Sequence, residues 1–522
     1  MATPPPRKAR REQLAGFKRL QQRRTDFFDF YNRGQADQWD KDARKDHFLL
    51  LAVPRGKSGT RKWPGVRPED FDLDNRDPKG QRFTMANAQI GSRSSWGGFG
   101  VAALFKRTDA TGDDRYYVAK CLFDGDNENL DEEKAVVEEF RGAEHVVRSI
   151  KMDHQVNRPR IIVRSARGPD SGIMLMEYLP RGTLEKFACV VSQARRPLSN
   201  TTLWFLFDCL FQMAVALRYP PQYWSNYTDG GVYYERFPVA GDVSRAWRGP
   251  DSVWIHFDID PTNILVGDFD NSPSGPRRPH HLVTPVLKLN DFGLCTEMSP
   301  FLKDPESMWD ARINGKHSWF SPEQFSTEWD YIPGAPTTRA KVAGKYSWKT
   351  NMWQLAQVMW CLITHFEPPD GPFPQQVDAQ HLPDYTEESG VAGSSDGNGR
   401  ATGAGGEGAS ARRNSRARAG VKRKAEQQEP KWSHGTYLCR DDVDIFKNVD
   451  IDLRRLVMRC MMDDPADRPE MEEIREILDK KLGEQLDLDL WTQNLPSDPP
   501  DHPGSALDAW LNQPVAAQPP GF

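Results

Sequence analysis

The chain has no long apolar run free of polar groups, no paired cysteines and no strong excess of one charge. Its longest apolar run, Leu203 to Leu217, contains Asp208 and Gln212, so it reads as a buried helix rather than a membrane span. The opening Met1-Ala-Thr-Pro-Pro-Pro leads into arginine and lysine with no apolar core behind them, which argues against a signal peptide. The seven cysteines (Cys121, Cys189, Cys209, Cys295, Cys361, Cys439 and Cys460) are odd in number and lack the paired spacing of a metal site. That usage suits a reducing compartment, cytoplasmic or nuclear. A formal net charge of −5 sets up no global field toward nucleic acid or membrane, so any basic character has to be local.

What the chain does carry is a central stretch, Trp254 to Leu294, that opens W-I-H-F-D-I-D-P-T-N-I-L and closes V-L-K-L-N-D-F-G-L. Moving a phosphoryl group from a nucleotide to a hydroxyl needs a carboxylate that orients the hydroxyl and takes its proton. It also needs hard oxygen ligands that hold Mg²⁺ against the phosphates. Asp258 fits the first role, and Asn263 and Asp291 fit the second.

The pairing resembles the eukaryotic protein kinase family, in which a His-x-Asp-x-x-x-x-Asn loop is followed by Asp-Phe-Gly. His256, Asp258, Asn263, Asp291, Phe292 and Gly293 match that pattern. Upstream, Ser95-Trp-Gly-Gly-Phe-Gly resembles the family's glycine-rich loop, with Gly97, Gly98 and Gly100 at the phosphates and Ser95 in place of the first glycine. The strand Tyr116-Tyr-Val-Ala-Lys120 then implies Lys120 as the lysine on the α- and β-phosphates. A helix expected over Asp131 to Arg141 supplies Glu133 as its partner, with Glu132 and Glu138 as rivals. Met176 takes the gatekeeper position, and Glu177 and Leu179 offer main-chain groups to adenine. Ser321-Pro-Glu323 and Arg468 resemble the family's structural ion pair, and Asn351 stands where an aspartate usually holds the catalytic loop.

The resemblance implies an α+β chain with a two-lobed protein kinase-like fold: a small antiparallel sheet lobe with one helix, and a larger, mainly helical lobe. It covers about 85–482, with the small lobe at 85–178 and the large lobe at 183–482. Residues 1–84 form a basic, partly helical extension and 483–522 a Pro-rich tail. Insertions fall at 219–249 and 385–432; the second is poor in hydrophobics and expected to be disordered. Within it, 411–424 has seven basic and no acidic residues, which fits an import-receptor signal as well as a solvated linker.

Three departures bear on catalysis. Phe257 replaces the arginine that in the family receives an activation-loop phosphate, Asp260 replaces the lysine that neutralises the transferred phosphate, and Lys316 replaces a threonine that touches both the catalytic aspartate and that lysine. Because the last two positions are neighbours in the kinase fold, Lys316 is expected to pair with Asp260 and to supply the missing cation. The implied activity is Mg²⁺- and ATP-dependent phosphorylation of Ser or Thr in proteins. A pseudokinase scaffold or nucleotide-binding module stands as the alternative, and a kinase-like enzyme for a small molecule as a third reading.

Overall fold

The computed structural model describes residues 100–108, 114–122, 127–150, 173–194, 198–224, 231–238, 253–269, 284–298, 311–331, 340–368, 374–383, 429–443 and 446–492. It also describes the short strands 71–73, 83–85 and 161–163 and the single positions 226, 281 and 308. The architecture is α+β, with helices and small antiparallel sheets. Gly97, Gly98, Ser95, most of the N-terminal extension, the basic 411–424 segment and the residues after 492 lie outside the described residues.

Short strand β1 (Phe71–Leu73) pairs with β5 (Ile161–Val163). The larger sheet runs β2 (Phe83–Met85), β3 (Gly100–Thr108), β4 (Asp114–Leu122) and β6 (Ile173–Glu177), all antiparallel. Lys120 on β4 sits opposite Ala102 and Met174. Helix α1 (Asn127–Glu139) follows β4; it starts and ends earlier than the expected Asp131 to Arg141. Its buried face, Leu130, Glu133, Val137 and the following Phe140, fits helical spacing and faces the core.

After α2 (Leu184–Ala194) comes α3 (Asn200–Arg218), capped by Ser199, whose hydroxyl accepts from the Thr202 N–H at 3.2 Å. Every residue of α3 from Thr202 to Leu217 is buried. A helix apolar on all sides has to be enclosed. It packs on α6 (Trp348–Thr364) and α8 (Met471–Thr492), and its length and apolarity thus serve the core.

Short strands β7 (Val253–Ile255), β8 (Ile264–Val266), β9 (Leu287–Leu289) and β10 (Thr296–Met298) form two antiparallel pairs, β7 with β10 and β8 with β9. These pairs frame the central stretch. Small helices α4 (Pro322–Phe325) and α5 (Glu328–Tyr331) follow, and α7 (Ile451–Cys460) precedes α8.

Two further boundaries differ from expectation. Helix α8 continues to Thr492, well into the Pro-rich tail expected from 483, because the first proline of that tail is Pro496 and nothing before it blocks a helix. Residues 429–432, counted with the disordered insertion, are ordered: Trp432 pairs with Gln376 in the ladder β11 (Gln375–Gln376) to β12 (Trp432–Ser433). Trp432 and the fully buried Ser433 give that segment something to pack.

Candidate active site

Lys120 is delivered by β4 and points at α1 and at Asp291. Its ammonium donates to both Glu133 oxygens, at 2.6 and 2.8 Å, and to Asp291 Oδ1 at 2.7 Å. Burial would depress this lysine, but Asp291 and Glu133 outweigh it and raise its pKa, so the cation persists. Burial also acts against ionised Asp291, yet Lys120 holds its pKa below the usual carboxylate value. For Glu133 burial wins over Lys120, and its pKa is raised. Of the three candidate glutamates, Glu133 is the buried one beside Lys120; Glu138 accepts from the Ser149 hydroxyl instead, and Glu132 is exposed.

The residues from Trp254 to Asn263 are held from two sides, by Asn351 of α6 and by Asn290. The His256 N–H donates to Asn351 Oδ1 at 3.0 Å, and Asn351 Nδ2 donates to the Trp254 carbonyl at 2.7 Å. Asn351 therefore uses both ends of its amide to hold the loop from α6, where an aspartate could only accept. The buried His256 ring faces the Asn290 carbonyl through Nε2 at 3.1 Å and packs edge-on against Phe292 at 4.9 Å, with Phe140 beyond at 5.2 Å. Burial lowers the His256 pKa to about 4, which keeps it a neutral spacer at physiological pH. The Asn290 N–H donates to the Asn263 carbonyl at 2.9 Å, tying the Asn263 and Asp291 segments side by side.

Asn263 Nδ2 donates to the Asp258 carbonyl and to Asp258 Oδ2, both at 2.8 Å. With its amide hydrogens spent there, the Asn263 side-chain carbonyl oxygen is the atom left to ligate a cation. The Asp291 side chain is 40 % exposed, so it too can meet one. Asp258 Oδ1 is buried and has no hydrogen-bond partner among the described residues. Such an orphan acceptor is costly unless something binds it. Asn263 and Asp291 thus fit a hard divalent cation, and Asp258 fits a hydroxyl donor.

Lys316 reaches across from the segment after Asp291. Its ammonium bonds Asp260, donates to Thr262 Oγ1 at 2.9 Å and lies 3.8 Å from Asp258 Oδ2. Asp260 is buried and also accepts from the Thr262 N–H at 2.6 Å and from the Thr262 hydroxyl. Burial acts to lower the Lys316 pKa, but Asp260, Asp258 and Asp291 raise it. Asp258 is raised to about 7, first by burial and then by Asp260 and Asp291, against the pull of Lys316.

Backbone strain concentrates at the same place. Phe257 and Asp291 adopt φ of 62° and 65°, a left-handed region that costs a non-glycine residue roughly 1 to 3 kcal/mol. Phe257 is wholly buried, edge-on to Tyr346 at 5.2 Å, so the position expected to bear an arginine is a packing anchor. Gly315 has φ 98°, and a Cβ there would lie 2.1 Å from the Phe257 carbonyl oxygen. Gln354 of α6 donates to the Phe257 and Trp319 carbonyls, joining the loop to the Lys316 segment.

On the sheet side, Met176 is buried on β6 opposite Val118. The Glu177 carboxylate pairs with Lys288 at 2.7 Å and its N–H donates to the Arg148 carbonyl at 3.0 Å, so what it offers a ligand is its carbonyl. Leu179 is buried beside it. Gly100 begins β3, whereas Gly97 and Gly98 lie outside the described residues.

No family model and no curated protein matches the chain.

Proposed function

We propose that this site transfers the γ-phosphate of ATP to Ser or Thr hydroxyls of proteins, in a two-lobed protein kinase-like fold. The observation that carries the reading is the placement side by side of two contact sets, Lys120 with Glu133 and Asp291, and Asp258 with Asn263 and Lys316, joined through the Asn290 N–H on the Asn263 carbonyl. Lys120, steadied by Glu133, holds the α- and β-phosphates. The Asn263 side-chain carbonyl oxygen and the Asp291 carboxylate hold Mg²⁺, which neutralises charge on the phosphates when bound. Asp258 orients the acceptor hydroxyl through its unpartnered Oδ1 and takes its proton. The Glu177 carbonyl and the Leu179 main chain meet the adenine, and the glycine-rich loop with Gly97, Gly98 and Gly100 covers the phosphates.

Lys316 supplies the cation that Asp260 lacks. A bare carboxylate about 4 Å from the γ-phosphate would cost on the order of 4 kcal/mol at an effective dielectric of about 20. With Lys316 against Asp260 that charge is neutralised, and the Lys316 side chain stays 46 % exposed, within reach of an anion from solvent.

The test is a peptide library presenting Ser, Thr and Tyr acceptors, incubated with ATP and Mg²⁺. Labelled Ser and Thr peptides support the reading, and label on Tyr alone corrects the acceptor class. A blank library with ATP consumption that needs an added metabolite points to a small-molecule enzyme.

A further inference from the structure

A second polar cluster lies behind the α1 end of the molecule, buried and unconnected to phosphoryl transfer. His145 follows α1, Cys209 lies mid-way along α3, and His281 belongs to the segment between β8 and β9. All three residues are buried, and one ligand atom from each lies within 4.8 Å of the others. We propose that His145, Cys209 and His281 form a metal site whose ion is zinc(II).

The orientation of His145 favours this over simple packing. Its Nδ1–H donates to Glu235 Oε2 at 2.7 Å, while its backbone N–H donates to Glu235 Oε1 at 2.8 Å. Both carboxylate oxygens are therefore spent on one residue. A carboxylate that accepts Nδ1–H fixes the tautomer that leaves the Nε2 lone pair available, the supporting arrangement that metal-ligating histidines use. Nε2 is fully buried, and apart from the Cys209 thiol beside it, it has no hydrogen-bond partner among the described residues. The His145 and His281 rings stand 5.5 Å apart at 44°, too tilted for stacking to account for the pair.

The donor set selects the ion. One thiolate and two imidazoles suit zinc(II), whereas Mg²⁺ and Ca²⁺ take oxygen. Around a tetrahedral ion with bonds of about 2.0 to 2.3 Å, ligand atoms stand roughly 3.3 to 3.8 Å apart, so the ion draws in whichever of these atoms now stand toward the 4.8 Å limit. A water completes the fourth position. Such a site would give the insertion after α3 a role. Glu235 belongs to it, and the Tyr233 N–H and carbonyl bond the Gly142 carbonyl at 2.6 Å and the Glu144 N–H at 3.1 Å. Zinc would thus staple the segments holding His281 and Glu235 onto α3.

The intact chain should retain about one zinc per molecule after dialysis against a weak chelator, by elemental mass spectrometry. After stronger chelation, cobalt(II) should restore a four-coordinate visible spectrum with thiolate-to-cobalt charge transfer; cobalt at the Asp291 site, with oxygen ligands alone, gives no such band. Cys209→Ser should abolish the band, His281→Ala should remove the retained zinc, and Glu235→Gln should weaken zinc binding roughly 10- to 100-fold. His381→Ala, outside the cluster, should change nothing. A chain without stoichiometric zinc and without the charge-transfer band overturns the proposal, as does an unchanged band in Cys209→Ser. The cobalt spectrum of the unaltered chain decides the matter even if a variant fails to fold.

Discussion

Asp258, the proposed base, has its titration set by where it sits. Burial, then Asp260 and Asp291, place its pKa near 7, with Lys316 pulling it down. The base form is the ionised one, so activity should grow as pH rises through that value. The kcat/KM profile, which reports the free enzyme, should climb from about pH 6 to about 8. In Lys316→Met the restraining cation is gone, so the limb should move to higher pH and the rate fall about 10- to 1,000-fold. The double change Asp260→Lys with Lys316→Thr should recover most of that loss. An unaltered rate in Lys316→Met would sink the charge-exchange account.

Individual residues of this site were legible where a motif dictates chemistry. Lys120, Glu133, Asp258, Asn263, Asp291 and Lys316 were all singled out by type and order, and the structure joins them in two sets, Lys120 with Glu133 and Asp291, and Asp258 with Asn263 and Lys316. The His145, Cys209 and His281 cluster was not, because its members come from three distant segments and no local spacing joins them. Inspecting the cysteines for partners of their own kind passes over a mixed set. Glu235 could not have been found either, since its role depends on how the insertion folds back on Gly142.

At the scale of elements, the ties between α4, α6 and the segment before α8 carry more than the element ends do. Arg468 donates to both Glu323 oxygens at 2.8 and 2.9 Å and to the Lys349 and Met462 carbonyls, in a buried setting. Thr350 adds a third bond to Glu323 at 2.9 Å. Removing one partner strands a buried charge, so Arg468→Ala should lose about 3 to 5 kcal/mol in urea unfolding. A loss below about 1 kcal/mol would show that the pair is replaceable.

The turn at Gly315 is as demanding. Its φ of 98° and the Phe257 carbonyl 2.1 Å from any Cβ leave no relaxation except movement of the Phe257–Asp258 segment itself. Gly315→Ala should destabilise by about 1 to 3 kcal/mol. It should also lower activity, because Phe257 and Asp258 move with it. Full activity at unchanged stability would contradict the geometry. The pairing of Glu323 with Arg468 was readable from sequence because it spans two recognisable segments. The Gly315 contact was not, since the strained Phe257 it touches follows from three-dimensional packing. Helix α1 starts and ends a few residues early, and α8 runs on to Thr492 because no proline stops it before Pro496.

For the whole molecule, one chain of contacts runs from the sheet through Lys120 to Asp291, and from there through Asn290, Asn263 and Asp258 to Lys316 and α6. The α+β class and the order of the segments were legible, because apolar runs flank each motif. The excursions were not, since their composition states only what they cannot bury. The measurement closest to the central claim is Mg²⁺-dependent incorporation of labelled γ-phosphate into a generic protein substrate and into the chain itself, with Asp291→Asn prepared alongside. The account predicts transfer by the unaltered chain, lost at least about 100-fold in the variant. No transfer, with ATP still raising the melting temperature, would contradict it and leave a nucleotide-binding module.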